Sequence, residues 1–212
     1  MVASQARPAY IYDTTLGDWV PMSGVVDTGQ AYTFTANQTF SGLVTANNGI
    51  NAATTLNLQT GGTTRLSIDS SGRVTTPNNP AFSVYVGGAA QNTALPSGST
   101  MPYNTTTINI GSCFNTSTYR FTAPVAGTYL LSVYDIGATT STSRFFLFRN
   151  GVDLEASNTC HQLRAPNGAN YSSATSFWLV SASVGDYFYV TVNEGTSYAS
   201  NEYAWFSGFL VG

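Results

Sequence analysis

Lysine is absent from this chain of 212 residues, and histidine occurs once. Charged residues make up only 8 %, against roughly 25 % in an ordinary soluble domain. Seven basic residues face ten acids, for a net charge of −3. No basic patch is available to neutralise phosphates, so nucleic-acid binding is not expected, and so small a charge steers no particular partner. Long apolar runs are missing as well. None approaches the length of a membrane-spanning helix. The opening Met1-Val2-Ala3-Ser4-Gln5-Ala6-Arg7-Pro8 is not followed by the apolar stretch of a secretion signal. A protein working outside the cell without that signal would leave by lysis. Only two cysteines occur, Cys113 and Cys160, at no metal-binding spacing. Either they pair in a disulfide that closes a moderate loop, or they are two buried thiols acting as small hydrophobes.

Helix signals are nearly absent, because few segments repeat with a period of 3.6 residues. Short runs rich in Val, Thr, Tyr and Phe dominate, broken by Gly, Asn and Pro. The chain therefore reads as all-β, with neutral Thr, Ser and Asn supplying solubility in place of ions. Its texture changes twice. In residues 1–24, Tyr10, Tyr12, Trp19 and Val20 suggest a hairpin turned at Thr15 to Gly17. An isolated hairpin is marginal in water, so this segment is expected to attach to another part. Residues 25–79 are poor in large apolar groups. Leu56 and Leu58 alternate, as do Leu66 and Ile68, with turn signals at Gly61-Gly62 and Ser71-Gly72. Strands with one thin apolar face cannot build a core from a single copy, but three copies wound about an axis can pool theirs. That predicts a β-rich trimeric stalk, with a small packed domain as the alternative.

Residues 80–212 are dense in aromatics. Strands are predicted at 81–86, 107–114, 117–122, 127–135, 143–149, 174–181, 187–193 and 203–211. Turn residues separate most of them, among them Pro96 to Gly98, Asn150-Gly151 and Gly185-Asp186. Many short strands at this spacing make a β-sandwich or jelly roll. Tyr129, Leu131 and Val133 share one face of their strand. Both faces of 187–192 are apolar or aromatic, which marks an inner strand or a subunit interface.

The run Phe121-Thr-Ala-Pro124-Val-Ala-Gly127-Thr-Tyr129-Leu-Leu131-Ser-Val133 resembles the central signature of the C1q-like family, the C1q and tumour-necrosis-factor superfamily. Pro80-Ala81-Phe82-Ser83-Val84 resembles that family's opening strand. Gly185-Asp186-Tyr187-Phe188-Tyr189-Val190 resembles a late one, and Phe206-Ser207-Gly208-Phe209-Leu210-Val211 the closing one. The resemblance implies a ten-stranded jelly roll assembled as a compact homotrimer. Phe82, Phe121, Gly127, Tyr129, Tyr187 and Tyr189 are implied as core, turn or trimer-packing positions, and Phe206, Gly208 and Phe209 as terminal-strand positions near the threefold axis. Many animal members follow a collagen stalk, and no Gly-X-Y repeat occurs here. Ala9-Tyr10-Ile11-Tyr12-Asp13 followed by Asp18-Trp19-Val20-Pro21-Met22 is similar to a short module of bacteriophage structural proteins. Leu66-Ser-Ile68-Asp69-Ser-Ser-Gly72-Arg73-Val74 is similar to phage tail-fibre shaft repeats. These resemblances imply a virion fibre, on a tail or on a head.

Enzymatic chemistry finds little footing. His161 adjoins Cys160, but neighbours on an extended strand point to opposite faces, so the two cannot converge as a nucleophile and base. No nucleophile elbow, P-loop or histidine–acid metal motif occurs, and the acids lie singly near turns. Asp153 and Glu155 are weak calcium candidates, two apart beyond a turn; no cofactor is otherwise expected. Recognition loops are the better candidates. Segment 158–173 carries His161, Arg164, Asn167, Asn170 and Tyr171, segment 87–106 carries Met101 and Tyr103, and segment 194–202 carries Tyr198. The sequence thus predicts a homotrimeric virion fibre or spike protein, not an enzyme. Its N-terminal region would hold other virion proteins, and its knob would bind a host-surface glycan or protein through several weak sites at once, without nucleic acid or membrane insertion. A structural trimerisation clamp or capsid decoration, a polysaccharide depolymerase and a host surface adhesin are the alternatives.

Overall fold

The computed structural model describes residues 9–13, 15, 17–22, 50, 52, 54–90, 93–137, 142–154, 163–165 and 172–212. The chain divides into two compact units, Met1–Asn51 and Ala52–Gly212. In the first, β1 (Ala9–Asp13) pairs antiparallel with β2 (Asp18–Met22), Tyr12 opposite Trp19 and Ile11 opposite Val20.

The second unit opens with a small antiparallel sheet of β3 (Leu56–Thr60), β4 (Thr63–Ile68) and β5 (Val74–Thr75). Gly61 and Gly62, with φ of 56° and 74°, make the left-handed two-residue turn that a tight hairpin requires. Asp69 forms the next turn. Its Oδ1 accepts from the Ser71 and Arg73 amides at 2.8 and 3.0 Å, and its Oδ2 accepts from Arg73 Nε at 2.7 Å. These donors hold the Asp69 carboxyl below its ordinary range, the Arg73 backbone amide first. Leu56 opposes Ile68, Leu58 opposes Leu66, and Ile68 opposes Val74, so the sheet gathers one thin apolar face on which Leu58 and Val74 remain exposed. Residues 25–49 of the segment expected as a stalk lie outside the described residues. From Ala52 onward it belongs to the same unit as the sandwich.

That sandwich contains β6 (Ala81–Tyr85), β7 (Thr93–Pro96), β8 (Thr105–Ile110), β9 (Phe114–Asn115), β10 (Arg120–Thr122), β11 (Gly127–Gly137), β12 (Ser143–Arg149), β13 (Val152–Asp153), β14 (Leu163–Ala165), β15 (Ser172–Ala182), β16 (Tyr187–Glu194), β17 (Thr196–Ala199) and β18 (Trp205–Leu210). One sheet has six strands in the order β13-β12-β16-β10-β9, with β14 also on β12. The other has seven, in the order β7-β17-β11-β18-β6-β8, with β15 on β11. The non-consecutive neighbours place β6, the sandwich's opening strand, beside its closing strand β18 at the centre of the seven-stranded sheet.

Alternation along the strands builds the core. Tyr129, Leu131 and Val133 of β11 turn inward, facing Phe145, Leu147, Phe188, Val190 and Val192 of the other sheet; all are buried. Phe82 stacks on Phe114 and Phe121 at 5.2 and 4.9 Å and meets Phe206 edge-on at 4.9 Å. Gly208 is where β18 crosses Phe82. A Cβ there would lie 2.6 Å from a Leu131 methyl and 2.7 Å from the Phe82 ring. Gly208→Ala is expected to cost about 1–3 kcal/mol by overpacking, read as a lower urea midpoint with an unchanged denaturant slope.

Candidate functional site

The outer faces of the two sheets differ in chemistry. On the seven-stranded sheet, the register aligns Leu179, Leu130, Phe209, Ala81 and Ile110 across five strands. The adjacent row is Phe177, Ser132, Ser207, Ser83 and Ile108, and the next contains Tyr134, Trp205 and Tyr85. Leu179 is 67 % exposed, Phe177 62 %, Phe209 49 % and Ile108 47 %. Ser207 donates to Ser83 Oγ at 3.1 Å, so these two hydroxyls satisfy each other between the apolar rows. Five strands at about 4.8 Å spacing make a platform roughly 20 Å wide. An apolar patch of this extent on a soluble fold marks an interaction surface.

The six-stranded sheet presents an outer face of another kind. Phe188, Val190 and Val192 of β16 point inward, while Tyr187 and Tyr189 point outward and are half-buried. Phe148 stacks on Tyr189 at 5.2 Å, and the Arg120 guanidinium lies 4.2 Å from the Tyr187 ring centroid and 5.4 Å from that of Tyr189. Beside this group, Asn150 and Gly151 (φ 52° and 83°) make the turn between β12 and β13. Asn150 accepts from the Tyr187 amide at 2.9 Å and donates to Asp186 at 2.7 Å. Asp186 also accepts from the Ser183 amide and pairs with Arg149. Asn150 and the Ser183 amide, more than Arg149, hold its carboxyl below the usual range.

Of the residues expected to pack the core or the trimer, Phe82, Phe121, Tyr129, Phe206 and Gly208 are buried, and Gly127 opens β11 half-buried. Tyr129 also donates its hydroxyl to Val125 O at 2.8 Å. Phe209 alone of the terminal-strand group faces outward, on the apolar platform. Tyr187 and Tyr189 stand on the opposite sheet from that platform.

The expected recognition residues fare differently. Tyr103 is a correction: it is fully buried, donating its hydroxyl to Asp135 at 2.6 Å. The loop expected at 87–106 packs along β16, where the Met101 amide donates to Val190 O at 2.9 Å and the Gly98 amide to Val192 O at 2.7 Å. This backbone pairing draws Met101 and Tyr103 into the core. Tyr198 is half-buried within β17, not on a loop, because β17 zips onto β7 with Tyr198 opposite Ala94. His161, Asn167, Asn170 and Tyr171 lie outside the described residues. Arg164 is within β14 opposite Arg144. The disulfide alternative is also corrected. Cys113 is a free, buried thiol whose Sγ donates to Ile110 O at 3.4 Å, and burial raises its pKa; Cys160 lies outside the described residues. Asp153 sits in β13, and its calcium partner Glu155 is not among the described residues. Among those residues, no three His, Cys, Asp or Glu side chains converge on a common point.

The sequence of residues 81–211 matches the family model of the C1q domain. The globular domain of zebrafish complement 1qA is similar in structure, with a TM-score of 0.51 at 18 % identity over 63 % of this chain and 98 % of that one. Eiger TNF from S. frugiperda is similar at a TM-score of 0.53 and 13 % identity, over 64 % of this chain and 94 % of that one. At such identities the likeness is one of fold. No curated protein matches the chain.

Proposed function

From the premise that this chain belongs to the C1q domain family over residues 81–211, we propose that it is a homotrimeric virion fibre or spike protein whose knob attaches to host surfaces. The single observation that carries the reading is the apolar platform of Leu179, Leu130, Phe209, Ile108, Ile110 and Phe177. Its rows cross the strands without a charged residue, and water is a poor partner for such a face. Three copies related by a closed rotation can each press it against a neighbour and leave no open-ended surface. The thin apolar face of β3 to β5 is pooled in the same assembly. The phage context draws its support from the sequence similarities at 9–22 and 66–74. The non-catalytic reading draws support from the acids: Asp69, Glu194 and Asp186 pair with arginines, and Asp135 is buried.

Sedimentation at micromolar concentration tests the assembly. The wild-type chain is expected to run as a trimer. Leu179→Asp, on the exposed face, is expected to run as a folded monomer and to lose most of its binding to host cells, since linked weak sites become independent ones. A wild-type monomer would sink the reading. A trimer without saturable cell binding would favour the structural clamp.

A further inference from the structure

We propose that the outer face of the six-stranded sheet is a saccharide site for a uronic-acid-containing glycan, with Arg120 holding the sugar carboxylate and the outward edges of Tyr189 and Phe148 lying under the sugar ring. The inference rests on the trimeric reading, which hides the opposite sheet and leaves this face in solvent. A solvated face of an antiparallel sheet is ordinarily polar. Here Arg120, Tyr187, Tyr189 and Phe148 form one contiguous half-buried cluster. Asn115 opposes Arg120 at one end of the row, and Asp153 opposes Phe148 at the other.

Arg120 differs from the four other arginines whose side chains are described. Arg73, Arg144 and Arg149 each pair with a carboxylate, and Arg65 donates to Thr60 Oγ1 at 2.8 Å. Arg120 lies over two phenol rings, and among the described residues its guanidinium has no acceptor. Stacking on aromatic rings leaves the in-plane N–H fork free, and that fork matches a planar carboxylate in two parallel hydrogen bonds. The nearest aromatic edge to receive a ligand's apolar face is Tyr189, one strand away at about 4.8 Å. The ligand therefore needs an anionic, planar group directly beside a flat, C–H-bearing ring that also carries hydroxyls. A uronic acid has that arrangement, and its hydroxyls can meet the Tyr187 and Tyr189 hydroxyls and the Asn115 amide nitrogen, the Asn115 Oδ1 already accepting from the Ser117 and Thr118 amides at 2.8 and 3.2 Å. Asp153 is three strands from Arg120, roughly 14 Å, too far to neutralise it in water. A hydrophobic protein partner suits the seven-stranded face better, since this one combines narrow aromatic area with an uncompensated cation.

Titration calorimetry of the trimer with oligogalacturonate, and with a neutral maltooligosaccharide of equal length, tests the site. Binding is expected for the uronate and not for the neutral sugar. Arg120→Gln is expected to weaken it about ten- to a hundredfold. Arg120→Lys retains charge without the fork and is expected to fall between. Tyr189→Ala is expected to weaken it too, with Arg65→Gln as a control that leaves affinity unchanged. A wild-type trimer that ignores the uronate, binds both sugars equally, or loses nothing on Arg120→Gln overturns the site while the trimeric reading stands. A monomer in the sedimentation run that still binds the uronate through Arg120 overturns that reading and keeps the site.

Discussion

Truncating Phe206 to alanine is expected to lower the stability of the sandwich by about 3–5 kcal/mol, against a total that for a domain of ordinary size is only about 5–15 kcal/mol. The side chain is fully buried at the centre of the seven-stranded sheet. Its ring lies 4.9 Å from Phe82, 5.6 Å from Tyr103 and 6.0 Å from Phe114. Three ring contacts go at once, and the hole cannot close easily, because β18 is clamped on both sides by β6 and β11. Phe209, three residues on, is the comparison. It is nearly half exposed and faces outward, so Phe209→Ala should change the protomer's stability little and weaken the proposed trimer. Folding and assembly are linked by mass action, so both variants must be measured at one protomer concentration. If Phe206→Ala and Phe209→Ala destabilise equally, the assignment of core face and contact face along β18 is wrong.

The inward alternation of β18 and β11 was legible because large apolar residues carry it. Tyr129, Leu131 and Val133 announce their face in the sequence, and Asn150-Gly151 and Gly61-Gly62 announce their turns through a demand for positive φ that few other residues meet. The pairing of β7 with β17 was not legible. Its inward positions are Ser197 and Ala199, both buried, and Ser197 reaches Ile136 O at 3.3 Å; small side chains fill that space without giving the strand an apolar signature. The apolar platform was half visible. Phe177, Leu179 and Phe209 were each readable as strand residues, but only the register of β15, β11 and β18 brings them into one face. Arg120 and Tyr187 come from strands far apart in the sequence, and nothing local signals that the guanidinium lies on the ring. Tyr103 misled because a tyrosine among Pro, Asn and Gly looks like a loop residue, whereas the backbone of that loop pairs with β16 and turns it inward. The signal for Asp135 was present: it is the next inward step after Tyr129, Leu131 and Val133.

That step places a carboxyl in the core, and its expected consequence is a pH dependence opposite to that of the surface acids. Asp135 is fully buried; its Oδ2 accepts from Tyr103, and its Oδ1 has no partner among the described residues. Burial raises its pKa well above 3.8, and the Tyr103 hydrogen bond offsets only part of that. Tyr103, itself raised by burial and then by Asp135, keeps its proton throughout. A group whose folded pKa exceeds its unfolded one binds more protons when folded. Its contribution is therefore whole below pH 3.8 and is lost as pH rises towards and through the raised value. Asp186 and Asp69 run the other way, since their lowered values give stability that is lost in acid. Asp135→Asn isolates the buried group, because the surface acids cancel between wild type and variant. The stability difference should shift in favour of the variant by about 1.4 kcal/mol for each pH unit above 3.8, until the folded carboxyl ionises. Chemical denaturation from pH 3 to pH 8 measures it. Parallel profiles would mean that Asp135 is ionised in the fold, which two oxygens with a single hydrogen bond between them cannot support in a dry core. Tyr103→Phe should cost about 1–3 kcal/mol by stripping the one donor the carboxyl has.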